Sequence, residues 1–108
     1  MTTDQLVERI VELADSKKAE NILTLNISKK SSLAEYFIIC EGSSERQVKA
    51  IADEIIDRLK EEKIRPFRVD GRDEKKWIVI DYNSIIVHVF HPEYRQTYKL
   101  EELWGRRK

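Results

Sequence analysis

Apolar residues recur along this chain in two rhythms, one helical and one strand-like. Between residues 4 and 17, Leu6, Ile10, Leu13 and Ala14 fall at helical spacing, and Val7 and Val11 widen the stripe, the signature of an amphipathic helix. Thr3 is the expected cap, with Asp4 in the first turn, where a carboxylate suits the helix N-terminus. Residues 22–27 then alternate, Leu23, Leu25 and Ile27 against Thr24 and Asn26, as a half-buried strand does. A turn is expected at Ser31-Ser32-Leu33-Ala34. The run Tyr36-Phe-Ile-Ile-Cys40 is apolar on both faces and predicts a central strand covered on both sides.

Gly42-Ser43-Ser44 interrupts that strand. The clearest helix follows over residues 45–62, with Val48, Ile51, Ala52, Ile55 and Leu59 in one stripe. Ser44 and Gln47 have the spacing of a capping box, and Glu45/Lys49 and Glu54/Arg58 that of helical ion pairs. Pro66 introduces a short edge strand at 67–69, followed by a charged loop from Asp70 to Lys76.

Two runs, Trp77–Tyr82 and Ile85–Phe90, flank Asn83-Ser84. A two-residue connection predicts a tight antiparallel hairpin. Tyr82 then pairs with Ile85, Ile80 with Val87 and Ile78 with Val89 on an aliphatic face. The other face pairs Asp81 with Ile86, Val79 with His88 and Trp77 with Phe90. In that register Asp81 and His88 are diagonal neighbours, within hydrogen-bond reach. The element order is α-β-β-α-β-β-β with an aromatic tail over residues 93–104. The fold class is therefore α/β, a mixed β-sheet with helices packed on it.

Composition narrows the classes further. The length, 108 residues, suits a single domain, and the 20 Lys+Arg balance the 20 Asp+Glu, so no bulk pull toward nucleic acid or anionic membrane follows. The longest apolar run is far short of a membrane span. Met1-Thr-Thr-Asp4 predicts no secretory leader. One cysteine, Cys40, forms no internal disulfide and points to a reducing, cytoplasmic setting. Three scattered glycines exclude phosphate-binding glycine loops.

The candidate chemistry is sparse. His88 and His91 with one cysteine do not make a tetrahedral metal site, and no cofactor is implied. Cys40 ends an apolar strand, where an inert buried thiol is expected. Gly42-Ser43-Ser44, between a strand and a helix, sits where nucleotidyltransferases meet phosphate. Such enzymes also need paired carboxylates on a following strand for Mg²⁺, and Asp81 has no partner two residues away. Trp77, Tyr82, Tyr94, Tyr98 and Trp104 crowd the last third of the chain among Arg95, Glu101 and Glu102, the composition of a protein-binding surface.

Ala34-Glu-Tyr-Phe-Ile-Ile-Cys40, Gly42-Ser-Ser-Glu-Arg-Gln-Val-Lys-Ala-Ile-Ala52, Trp77-Ile-Val-Ile-Asp-Tyr82, Val87-His-Val-Phe90 and Arg95-Gln-Thr-Tyr98-Lys-Leu-Glu-Glu-Leu-Trp104 together resemble the ribosomal silencing factor, or Iojap-like, family. Glu35 stands where aspartate is more usual, and Asn83-Ser84 replaces a glycine-containing turn. The resemblance implies a non-enzymatic translation repressor with a nucleotidyltransferase-like topology lacking the metal site. It further implies binding to a large-subunit ribosomal protein at the subunit-joining face, steric block of subunit association, and often a homodimer. Direct sequence-specific contact with nucleic acid is not expected, and neither is a membrane. The partner-binding residues expected are Trp77, Asp81, Tyr82, His88, Arg95, Tyr98 and Trp104. The competing reading is a nucleotidyltransferase-like enzyme or nucleotide-binding protein.

Overall fold

The first helix, α1 (Thr3–Ser16), begins one residue earlier than its stripe suggests. Its cap is Thr2, not Thr3. The Thr2 hydroxyl accepts from the Gln5 N–H at 3.1 Å while the Gln5 side chain accepts from the Thr2 N–H at 2.9 Å. This reciprocal box satisfies two of the helix's orphan donors. Five strands and a second helix follow in the expected order: β1 (Glu20–Asn26), β2 (Tyr36–Glu41), α2 (Glu45–Glu61), β3 (Arg68–Asp70), β4 (Trp77–Asp81) and β5 (Ile85–Phe90). The structure is a computed structural model describing residues 1–30, 32 and 34–94. Part of the expected turn at 31–34 and the tail from Arg95 onward, with Tyr98 and Trp104, lie outside the described residues.

The strands form one mixed sheet in the order β1-β2-β5-β4-β3. β2 and β5 run parallel at its centre, with Tyr36 opposite Ile85 and Glu41 opposite Phe90. The other neighbours are antiparallel. The β4–β5 hairpin has the expected register throughout, from Trp77 opposite Phe90 to Asp81 opposite Ile86. Asn83 turns the chain at φ 73°, and its N–H donates to the Asp81 carboxylate at 2.8 Å. Asparagine tolerates this left-handed backbone better than most residues, so the turn closes without glycine.

Period-two alternation sorts the sheet into two faces. Ile38, Cys40, Ile78, Ile80, Val87 and Val89 meet Ile10 and Leu13 of α1 and Val48, Ile51, Ile55 and Leu59 of α2 in the larger core. Both helices thus cover the same face. Phe37, Ile39 and Phe90 form a smaller cluster on the opposite face with Ile27 and Ala34, and Trp77, Ile86 and Tyr94 pack against it. β2 is therefore apolar on both sides for the reason its sequence suggested. Arg9 of α1 reaches Glu62 with two nitrogens, at 2.9 and 2.7 Å, joining the two helices at one end. On α2, Glu54 pairs with Arg58 as expected. Lys49 pairs forward with Asp53 at 2.6 Å rather than back with Glu45. Asp53 also takes Arg72 at 2.8 Å, which holds two cations on one carboxylate. Among the described residues no helix is long and apolar enough to cross a membrane.

Candidate functional site

The strand-to-helix turn that invited a phosphate reading is already filled by the protein's own groups. Ser44 caps α2, its hydroxyl accepting from the Gln47 N–H at 3.1 Å. The Gln47 side chain does not complete the box with Ser44. Its carbonyl oxygen instead accepts from the N–H and hydroxyl of Ser43, both at 2.6 Å. Its amide nitrogen donates to the carbonyls of Lys17 and Lys18, just past α1, at 3.1 and 3.0 Å. The Ser43 N–H that would face an anion is thus occupied. Gly42 is packed so tightly that an added Cβ would lie 2.7 Å from the Val48 nitrogen, so the glycine serves a close approach between strand and helix. Among the described residues no group of three or more His, Cys, Asp or Glu side chains could hold a metal ion. Cys40 is buried in the core, outside any disulfide.

The sheet face not covered by α1 or α2 carries a different arrangement. Trp77 opens β4 beside the charged loop and lies half-buried, its ring stacked on Phe90 at 5.0 Å between centroids and 20° between planes. Its indole N–H donates to His88 Nδ1 at 3.1 Å. Phe37 meets the His88 ring edge-on at 4.8 Å, and the Phe90 ring stacks 6.0 Å from it with nearly parallel planes. Offset and edge-on ring pairs of this kind are favourable beyond their area. His88 is buried, and that burial lowers its pKa to about 4, so the ring is neutral at physiological pH. A neutral imidazole accepting at Nδ1 carries its proton on Nε2; Nε2 has no hydrogen-bond partner among the described residues. Next to this cluster, Lys76 places its ammonium 5.9 Å from the Tyr94 ring centre, within cation–π range. The His91 N–H donates to the Lys76 carbonyl at 2.8 Å, fixing the chain after β5.

Of the residues expected to meet a partner, the fold brings Trp77 and His88 together. Asp81 shares their face, but its carboxylate is used in the Asn83 turn and His88 bonds to Trp77. The expected Asp81–His88 hydrogen bond is therefore replaced by a Trp77–His88 one. Tyr82 belongs to the opposite, helix-facing layer, where it is buried; burial raises its phenol pKa, and its hydroxyl has no partner among the described residues. Sequence reasoning missed Phe37 as a wall of the cluster. Its position one residue from Ile38, hence on the other face, was the available signal. Sequence reasoning also missed Gln47 as the tie between the two helices.

In class, the chain is a two-layer α/β protein. Two helices cover one face of a mixed five-stranded sheet, and an aromatic cluster lies on the other. The family model described as "Ribosomal silencing factor during starvation" matches residues 1–108. The chain is 41% identical to the ribosomal silencing factor of Halalkalibacterium halodurans over 97% of this chain and 90% of that one. It is also 41% identical to that of Bacillus subtilis over 97% and 89% of the respective chains. A crystal structure of a Chromobacterium violaceum protein superposes with a TM-score of 0.95, at 32% identity, covering 100% of this chain and 90% of the other. The chain belongs to the ribosomal silencing factor family. The expected likeness to nucleotidyltransferases rests on the sequence resemblance alone.

Proposed function

We propose that this protein is a ribosome-associated regulator of translation. In this reading it binds a protein of the large subunit at the face that meets the small one and blocks joining by occupying that space. Family membership supports the setting. The observation that carries the contact surface is Trp77: a half-buried indole at the rim of the sheet face opposite both helices, backed by buried Phe90 and His88. An aromatic side chain fixed from behind and partly open in front has the profile of an interface anchor. Arg95, Tyr98 and Trp104 are proposed from the sequence as further partner-binding residues, and a homodimer in the cytoplasm is part of the same proposal. The reading is non-enzymatic, which is supported by the occupied Ser43 N–H and by Asp81 being engaged in its own turn. Sedimentation with purified ribosomal subunits tests it. The protein should travel with the large subunit, and subunits mixed in its presence should stay apart. Co-migration with the small subunit alone, or unimpeded joining, overturns the proposal.

A further inference from the structure

The end of α2 and the chain leading from it to β3 carry an exposed aromatic ring and, within seven residues of it in sequence, three exposed cations, at the far end of β4 from Trp77. Met1 and Phe67 are the exposed large hydrophobic residues among the described ones, and Phe67, 76% exposed, is the one inside the chain. Its backbone is held just before β3, because its N–H donates to the Asp81 carbonyl at 2.7 Å. The ring is therefore presented on a fixed support. Around it in sequence stand Lys60, Lys63 and Arg65, all exposed. Of the nearby anions, Glu61 pairs with Arg58, Glu62 with Arg9 and Asp70 with Arg68, while Asp57, exposed one turn before Lys60 on α2, has no cationic partner among the described residues. The three cations have no anionic partner among the described residues. A lone exposed hydrophobe on a protein surface is ordinary. An exposed aromatic face in a segment where three unpaired cations outnumber one unpaired carboxylate is complementary to a polyanion that also carries flat rings.

We infer that the Phe67 edge is a contact for single-stranded RNA, in which one base stacks on Phe67 and the backbone phosphates lie against Lys60, Lys63 and Arg65. Stacking on an aromatic ring is tolerant of sequence, and the cations recognise phosphate without reading bases. The contact is therefore compatible with a protein that has no net charge and reads no sequence. It takes its ribosomal setting from the function proposed above, and it would add an RNA contact to a protein-mediated one.

The test uses the full chain and a single-stranded adenosine RNA of about twelve nucleotides, within the usual site size, followed by fluorescence anisotropy across a salt series without ribosomes. Three phosphate contacts give a log–log salt slope of about −2, since each contributes roughly 0.7 on a single strand. Replacing Lys60→Gln, Lys63→Gln and Arg65→Gln together should flatten the slope toward zero. Phe67→Ala should weaken binding at least about fivefold and leave the slope unchanged, while Phe67→Trp should retain it. All four positions are exposed, so these variants should fold, which their melting curves check. Absence of binding at low salt overturns the inference. So does a salt slope unaffected by the triple substitution. Equal competition by an acidic peptide together with indifference to Phe67→Ala also overturns it, because it would identify a protein partner instead. Because ribosomes are absent, a negative result leaves large-subunit sedimentation to stand or fall separately.

Discussion

The indole N–H of Trp77 donates to Nδ1 of His88 across the β4–β5 hairpin, although the two residues are diagonal rather than directly opposed; Trp77 faces Phe90 and His88 faces Val79. One hydrogen bond and one ring stack therefore fix the same side chain. Trp77→Phe keeps a ring over Phe90 but leaves a buried imidazole nitrogen without its donor, and is expected to cost roughly 1–3 kcal/mol. Trp77→Ala loses the stack as well and is expected to cost about 3 kcal/mol, the lower end for a large aromatic because the ring is half exposed. Thermal melts measure both. If Trp77 is also the anchor, Trp77→Ala protein held below its melting point should bind large subunits at least about tenfold more weakly. Unchanged binding by folded variant protein would refute the anchor.

His88 makes stability depend on pH. Its folded pKa is about 4, below the ordinary imidazole value of roughly 6.5. The unfolded chain therefore binds a proton that the folded chain refuses. Stability from this source is intact above about pH 6.5, falls as pH drops from there, and levels off below about 4. At roughly 1.4 kcal/mol per pH unit the loss is about 3 kcal/mol. Carboxylates titrate in the lower part of the same window, so the measurement is a difference. The stability gap between wild type and His88→Gln should narrow between pH 6.5 and 4. A constant gap would mean that His88 does not titrate with unfolding.

Gln47 bonds to four groups, two on Ser43 and two at the end of α1. Gln47→Ala is expected to cost roughly 1–2 kcal/mol in chemical denaturation, since each exposed bond contributes modestly. In the wild type the occupied turn should leave no nucleotide site. Calorimetric titration with a nucleoside triphosphate and Mg²⁺ is expected to show no saturable heat, and saturable binding with turnover would defeat the non-enzymatic reading.

Gly42→Ala tests the packing beneath that turn. The new methyl would sit 2.7 Å from the Val48 nitrogen and 3.0 Å from the Gln47 carbonyl carbon and the Val48 Cα. All three are backbone atoms, so the start of α2 must shift. A loss of roughly 1–3 kcal/mol is expected, read from the denaturation midpoint. A neutral effect would show that the helix moves freely on the sheet.

The hairpin was legible because one two-residue turn and one parity fix every pair in it, and Ile78, Ile80, Val87 and Val89 do share the helix-facing layer. The helices were legible from their stripes; the shift of the first cap from Thr3 to Thr2 reflects two adjacent threonines, of which only Thr2 has Gln5 at the reciprocal distance. The partner of His88 was not legible. A residue opposite Val79 has two diagonal neighbours, Trp77 and Asp81, and pairing rules alone do not choose between them. Here Asp81 is drawn into the Asn83 turn and the indole takes the imidazole. The parallel pairing of β2 with β5 was equally hidden, because it depends on contacts between residues far apart in the chain and no local spacing encodes it.

That central pairing governs the order in which the molecule can be completed. The strand that joins the β1–β2 half of the sheet to the β3–β4 half is the last of the described strands to be synthesised, since β5 sits between β2 and β4 and ends at Phe90. A nascent chain that has emerged only as far as β4 holds two unjoined strand pairs and exposed apolar edges. Closure requires a long-range pairing, the slow kind in folding kinetics, and it takes place only when most of the chain has left the machine that makes it.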